Sequence, residues 1–134
     1  MFKIAGLDHI VLRTTKLDEM LYFYCQQLGC HIERETEPEL GLTQLRAGNT
    51  LIDIVDYDSK LGKLADNPPD LSSPNLDHFC LQVEANSIDD ICDYLNQQNL
   101  NFSEPVNRYG AQGFGLSVYL TDPQGNTVEL KPQA

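Results

Sequence analysis

Hydrophobic and polar positions along this chain run through one order twice. Residues 7–13, LDHIVLR, are rich in Ile, Val and Leu with polar ends, which predicts a strand. Over 17–28, LDEMLYFYCQQL, the apolar positions Leu17, Met20, Leu21, Tyr24 and Leu28 recur at spacings of three and four, which predicts a helix stopped by Gly29. CHIERE and LTQLRA, on either side of Pro38 and Gly41, predict two strands. Gly48-Asn49-Thr50 then turns the chain into a fourth, LIDIVDY. Paired prolines and serines across 58–75 predict a linker. Beyond it the order returns. LDHFCLQV reads as a strand, and SIDDICDYLNQQNL as a helix with Ser87 as its N-cap. NFSEPV, GLSVYLTD and TVELKP read as strands, with Asp122-Pro123-Gln124-Gly125 turning the chain before the last.

Strand, helix and three strands are therefore written twice, in modules spanning 4–57 and 76–132. LDHIVL matches LDHFCL, GNTLIDI matches GNTVEL, and CQQLG stands where NQQNL stands in the second half. One offset sits inside the pattern: five residues lead from Gly48 to Asp53, but four from Gly125 to Glu129. A repeat unable to bury its apolar face alone predicts two modules combining around one core, in a single domain over 1–134.

Composition narrows the function. Hydrophobic residues make up 41% of the 134, enough for a core, and no apolar run reaches the length of a membrane helix. The first residues lack the basic start and apolar stretch of a signal peptide, so a cytoplasmic protein is expected. Twenty acidic residues against nine basic give a net charge of −11. That argues against nucleic acid and anionic membranes as partners. A small-molecule substrate fits better, with any anion held by a few local arginines. Cys25, Cys30, Cys80 and Cys92 form no C-x-x-C pair and read as reduced, mostly buried thiols.

Each half carries one histidine in its first strand and one carboxylate in its last: His9 and Asp53, then His78 and Glu129. Strand alternation puts His9 on one face with Leu7, Val11 and Arg13, and His78 with Cys80 and Gln82. Asp53 lies between Ile52 and Ile54, and Glu129 between Val128 and Leu130, so each carboxylate faces away from its aliphatic neighbours. Singly, such residues are ordinary strand positions. Their placement at matching points of a repeat is what points to a shared site. Buried carboxylates facing one another need a cation, and two imidazoles with two carboxylates suit a divalent first-row metal. Arg13, Gln82, Arg108, Tyr109 and Tyr119 are candidate substrate-binding residues. Arg108, Tyr109 and Gln112 belong to a glycine-rich segment, 107–119, expected to be a mobile or close-packed loop ahead of a strand.

The quoted strings LDHIVL and LDHFCL, the Phe23-Tyr24 pair in LYFYCQQLG, and the ending SVYLTDPQGNTVELK carry a resemblance to the vicinal oxygen chelate superfamily. That superfamily includes glyoxalase I, extradiol dioxygenases, and fosfomycin- and bleomycin-resistance proteins. The resemblance implies an α+β fold of two tandem βαβββ modules, whose mixed sheets curve into a cup around a divalent ion (Ni, Zn, Mn, Co or Fe), and a homodimer. The histidine and glutamate that glyoxalase I takes from each module fall on His9, Asp53, His78 and Glu129, with aspartate standing where glutamate is usual. In such a lyase or isomerase, Glu129 or Asp53 would move a proton between adjacent carbons. An Fe(II) ring-cleaving dioxygenase would need only His9, His78 and Glu129. A sequestering, antibiotic-binding protein would need no such set. Fosfomycin-type modification would need a cationic pocket, for which Arg13, Arg46, Arg108 and Lys131 are the available residues.

Overall fold

Alternation in the last strand of each module decides which face of its sheet is packed. Ile52 and Ile54 are both fully buried on one face of the strand that carries Asp53. Val128 and Leu130 do the same around Glu129. The computed structural model describes residues 1–72 and 74–134, in two compact units, Met1–Asp70 and Leu71–Ala134. Ser73, inside the predicted linker, lies outside the described residues.

In the first unit, β1 (His9–Thr14), β2 (His31–Glu35), β3 (Leu42–Ala47) and β4 (Thr50–Asp56) form one sheet in the order β1-β4-β3-β2. β1 runs parallel to β4, while β3 is antiparallel to both β4 and β2, so the sheet is mixed. The helix α1 (Leu17–Leu21) continues as a π-helical turn, Tyr22–Gln27. Met20, Phe23 and Tyr24 from this segment are sealed with Leu12, Leu45, Ile52 and Ile54 in the core. Burying a large aliphatic or aromatic side chain is worth about 1.5–3 kcal/mol.

The second unit repeats the plan. β5 (Phe79–Val83), β6 (Val106–Gly110), β7 (Gly113–Thr121) and β8 (Thr127–Pro132) pair in the order β5-β8-β7-β6, with β5 parallel to β8. Helix α2 (Ile88–Gln97) begins at Ser87, whose hydroxyl accepts the Asp90 backbone N–H. It buries Ile88, Ile91 and Leu95, with Val118, Leu120, Val128 and Leu130 completing the core. Two βαβββ modules with mixed sheets are thus present, as the repeat predicts.

The turn before β8 explains its sequence. The Asp122 carboxylate, 3% exposed, accepts the backbone N–H groups of Gln124 and Asn126 through Oδ1, and the Asn126 side-chain amide through Oδ2. Gly125 takes φ +101, a conformation that glycine adopts without strain. The first module turns more tightly, with only Gly48 and Asn49 between the paired Ala47 and Thr50. Five residues separate the paired Thr121 and Thr127. This difference absorbs the spacing offset seen in the sequence.

Three expectations need correction. The segment 17–28 is not one regular α-helix, since the chain widens into a π turn from Tyr22 onward; it still ends where Gly29 takes φ +86. NFSEPV is largely outside the sheet, and the strand falls instead on Val106–Gly110, all but its first residue within the segment read as a loop. Pro105 removes a ladder donor just before that strand. The glycines there have a packing reason: a Cβ at Gly110 or Gly115 would sit 3.1 Å from Lys131. The space they leave takes the Lys131 side chain, whose Nζ donates to the Arg108 and Gly113 carbonyls at 2.8 and 2.7 Å and ties the β6–β7 hairpin to β8. Finally, part of the predicted linker is built into the first unit. Gly62–Leu64 forms a 3₁₀ turn, and Gly62 packs so closely on Asp56 and Tyr57 that no side chain fits. Among the described residues, no helix is long and apolar enough to cross a membrane.

Asp122→Ala would strand two backbone donors and one amide in a largely closed turn. Chemical denaturation is expected to show a loss of about 2–3 kcal/mol, with an unchanged denaturant slope.

Candidate functional site

The parallel pairing of first and last strand brings each histidine beside its carboxylate. His9 pairs with Leu51, and Asp53 stands two residues further along β4. Phe79 pairs with Val128, so His78, one residue earlier, lies level with Thr127, and Glu129 again stands two residues on. The diagonal is the same in both modules. Its alternation points histidine and carboxylate away from the helix-covered face.

In the first module, His9 Nε2 lies 3.9 Å from Asp53 Oδ2. Asp53 is 3% exposed. Its Oδ2 accepts the Gln44 side-chain amide at 3.2 Å from the opposite position on β3, and Gln44 Oε1 accepts Arg34 Nη1 at 2.7 Å. The other oxygen, Oδ1, is sealed from solvent and has no hydrogen-bond partner among the described residues. A buried carboxylate oxygen without a donor is costly unless a cation compensates it. His9 Nδ1 meets Asp8 Oδ1 at 2.7 Å. That hydrogen bond, followed by the charges of Asp53 and Asp8, holds His9 above the ordinary histidine value despite some desolvation.

In the second module, His78 Nε2 lies 3.2 Å from Glu129 Oε1, and Nδ1 meets Asp77 Oδ2 at 2.7 Å. Glu129 is nearly as enclosed as Asp53. Tyr119, opposite Glu129 on β7, presents its ring edgewise to His78 at 5.1 Å. The Arg108 guanidinium stacks 4.1 Å above the Tyr119 ring centroid and donates to the Ser117 carbonyl and hydroxyl. Cys80 pairs with Glu129 across the parallel strands. Desolvation and the Glu129 charge push its thiol up to about 11, so it is neutral at physiological pH.

Each module therefore presents an imidazole nitrogen and a carboxylate oxygen to one another, with the far nitrogen of the ring held by a second carboxylate. That is a donor pair suited to a borderline divalent cation, in which outer carboxylates orient ligating histidines. Among the described residues, the grouping within either module is a pair, not a complete ligand set.

The remaining predicted residues divide. Arg108 and Tyr119 reach the His78 side of the second module. Arg13 donates from Nη1 to the Asn67 carbonyl at 2.7 Å. Gln82 stands beside Lys131 on β5, and Tyr109 is exposed with its ring edge to Phe114. Gln112 accepts the Ala134 backbone N–H. None of these four is brought to a His–carboxylate pair within its module. Of the cysteines, all free, only Cys30 is buried, and Cys80 is exposed. Sequence reasoning passed over Asp8, Asp77, Gln44 and Arg34. The aspartates were visible in the repeated LDH itself, whereas Gln44 and Arg34 emerge only from strand register.

The family model described as Glyoxalase/Bleomycin resistance protein/Dioxygenase superfamily matches residues 6–130. The chain is 28% identical over 128 residues to the glyoxalase domain-containing protein RDO1 of Mycosarcoma maydis, covering 95% of this chain and 68% of that protein. It is 26% identical to virulence protein STM3117 of Salmonella typhimurium, covering 95% of this chain and 83% of that one. The crystal structure of STM3117 superposes with a TM-score of 0.74, at 24% identity over 99% of this chain and all of the other. A lactoylglutathione lyase from Agrobacterium tumefaciens superposes at 0.70, with 21% identity over 96% of this chain and 94% of its own.

Gln44→Ala removes the donor that Asp53 Oδ2 accepts inside the sheet. Equilibrium unfolding in urea should register a loss of about 1–3 kcal/mol, and an effect under a few tenths would show that Asp53 is satisfied otherwise.

Proposed function

The chain belongs to the glyoxalase/bleomycin resistance protein/dioxygenase superfamily, and from this and its two half-sites we propose a divalent-metal-dependent lyase or isomerase. Its substrate is a small molecule with neighbouring oxygens. The observation that carries the reading is the repeated histidine–carboxylate diagonal, with Asp53 Oδ1 buried and lacking a donor. In this reading His9, Asp53, His78 and Glu129 hold one ion, the two half-sites completing one another in a homodimer. The likeness to a lactoylglutathione lyase supports the scaffold for such chemistry, not a particular substrate.

A bound divalent cation supplies Lewis acidity that stabilises negative charge on substrate oxygens. The protein's own residues do the rest. Gln44, braced by Arg34, fixes Asp53, so Asp53 acts as the static carboxylate. Glu129 has a longer side chain and, among the described residues, no comparable amide clamp, and it is the carboxylate that moves a proton between adjacent substrate carbons. Tyr119, held under Arg108, supports the His78 ring and lines the substrate side. Arg13 and Gln82, on the carboxylate-bearing faces of their sheets, would contact the periphery of the substrate, whereas alternation along β6 turns Tyr109 towards Phe114 on the face opposite Arg108 and takes it out of the site.

Elemental analysis of protein purified without chelator or affinity tag tests the reading. Near-stoichiometric nickel, zinc, cobalt or manganese is expected, lost in both His9→Ala and His78→Ala with the fold retained. Asp53→Asn should weaken metal binding far more than Asp56→Asn. Iron, with oxygen uptake on catechols, would instead support the ring-cleaving dioxygenase. Absence of any metal after reconstitution would favour a sequestering protein.

His9 must lose its proton before its Nε2 can ligate. Because its proton is held above the ordinary value, apparent affinity should climb as pH rises through and beyond about 6.5. Competition titrations across that range check the sign, and a flat profile would remove His9 from the ligand set.

A further inference from the structure

In the repeated Asp–His dipeptide the aspartate holds the far nitrogen of the ring, but which of the two ring nitrogens carries the proton is left open by orientation alone. Asp8 and Asp77 immediately precede their histidines, and their side chains are 90% and 94% exposed. Exposed carboxylates at strand entrances ordinarily point into water. Here both turn onto the neighbouring ring, each 2.7 Å from Nδ1. The two modules reach this geometry from different flanking sequence, Gly6-Leu7 in one and Asn75-Leu76 in the other.

We infer that Asp8 and Asp77 are positioning residues, each holding the following histidine with its proton on Nδ1 and the Nε2 lone pair directed at Asp53 or Glu129. The argument is one of distance. A neutral imidazole carries one proton, and two carboxylates compete for it in each module. On the Nδ1 side the separation is 2.7 Å, that of a short charge-assisted hydrogen bond. On the Nε2 side it is 3.9 Å at His9 and 3.2 Å at His78. A proton on Nε2 would leave the Nδ1 lone pair pressed against a carboxylate, which is repulsive. The nitrogen left bare is the one facing the buried carboxylate, so the tautomer that the aspartate selects is the one a metal ligand requires. Strand alternation alone orients the ring towards the site but does not choose between its nitrogens. This role rests on the metal reading for its purpose, but the tautomer itself belongs to the metal-free protein.

The test uses the full chain labelled with ¹⁵N at histidine, metal-free and at alkaline pH, where the rings are neutral. Long-range proton–nitrogen correlations then report which nitrogen is protonated, and exposed His31 on β2 serves as an internal reference. His9 and His78 are expected in the Nδ1–H form. Asp8→Ala should convert His9 alone to the Nε2–H form, and Asp77→Ala should convert His78 alone. The Asn variants, which keep an acceptor oxygen, should retain the original tautomer. Affinity for zinc, read by chelator competition, should fall about 10–100-fold in each Ala variant. Since both side chains are exposed, thermal unfolding should hardly move. An Nε2–H ring at either position in the wild type, or tautomers indifferent to the Ala substitutions, would overturn the inference even if zinc binds. Nδ1–H rings in a wild type that binds no zinc would uphold the dyads and overturn the metal reading instead.

Discussion

A carboxylate enclosed in the middle of a sheet must find donors or a cation, and Asp53 finds only part of what it needs. Gln44 serves one oxygen across the β3–β4 ladder, while the other stays sealed and unserved among the described residues. Much of the first module follows from keeping that group in place. Ile52 and Ile54 must flank it so that β4 packs under the helix while Asp53 faces the other way. The parallel pairing of β1 with β4 must run in the register that sets His9 two residues behind it. A one-residue slip in that pairing would turn the histidine to the wrong face.

The second module solves the same problem with other residues. Glu129 takes the place of Asp53, and Tyr119 faces it where Gln44 faces Asp53. An aromatic ring gives packing against His78 and a platform for Arg108, but it has no amide with which to clamp the carboxylate. The two halves are thus alike in backbone register and unlike in how tightly the carboxylate is tethered. Under the proposed function, that asymmetry would separate a fixed ligand, Asp53, from a carboxylate free to carry a proton, Glu129. The second sheet is also held by small local choices, such as the glycines that clear a path for Lys131 to tie the β6–β7 hairpin to β8.

Much of this was legible in the linear sequence. The repeated LDH, the aliphatic pairs around Asp53 and Glu129, and the turn DPQGN are local signals, and each corresponds to an observed strand or turn. The position of β6 was not legible, because the glycines of residues 107–119 read as loop formers when their role is to admit a lysine from another strand. The π turn at Tyr22–Gln27 carries the same apolar spacing as an α-helix over so short a stretch. Gln44 and Arg34 could not be found at all without register, since a glutamine in LTQLRA is an ordinary strand residue until it is known to lie opposite a buried aspartate. The aspartates of the two LDH strings were in plain view, but exposure at a strand entrance gave no reason to expect them to turn onto the ring.

The central claim is that the two half-sites serve one metal ion. X-ray absorption on the zinc-loaded protein tests it most directly, because multiple scattering from imidazole counts histidines per metal. The account predicts two imidazoles and oxygen donors around each ion, with no sulfur from Cys80. One imidazole per zinc, or a sulfur neighbour, would contradict it and leave each module to bind on its own.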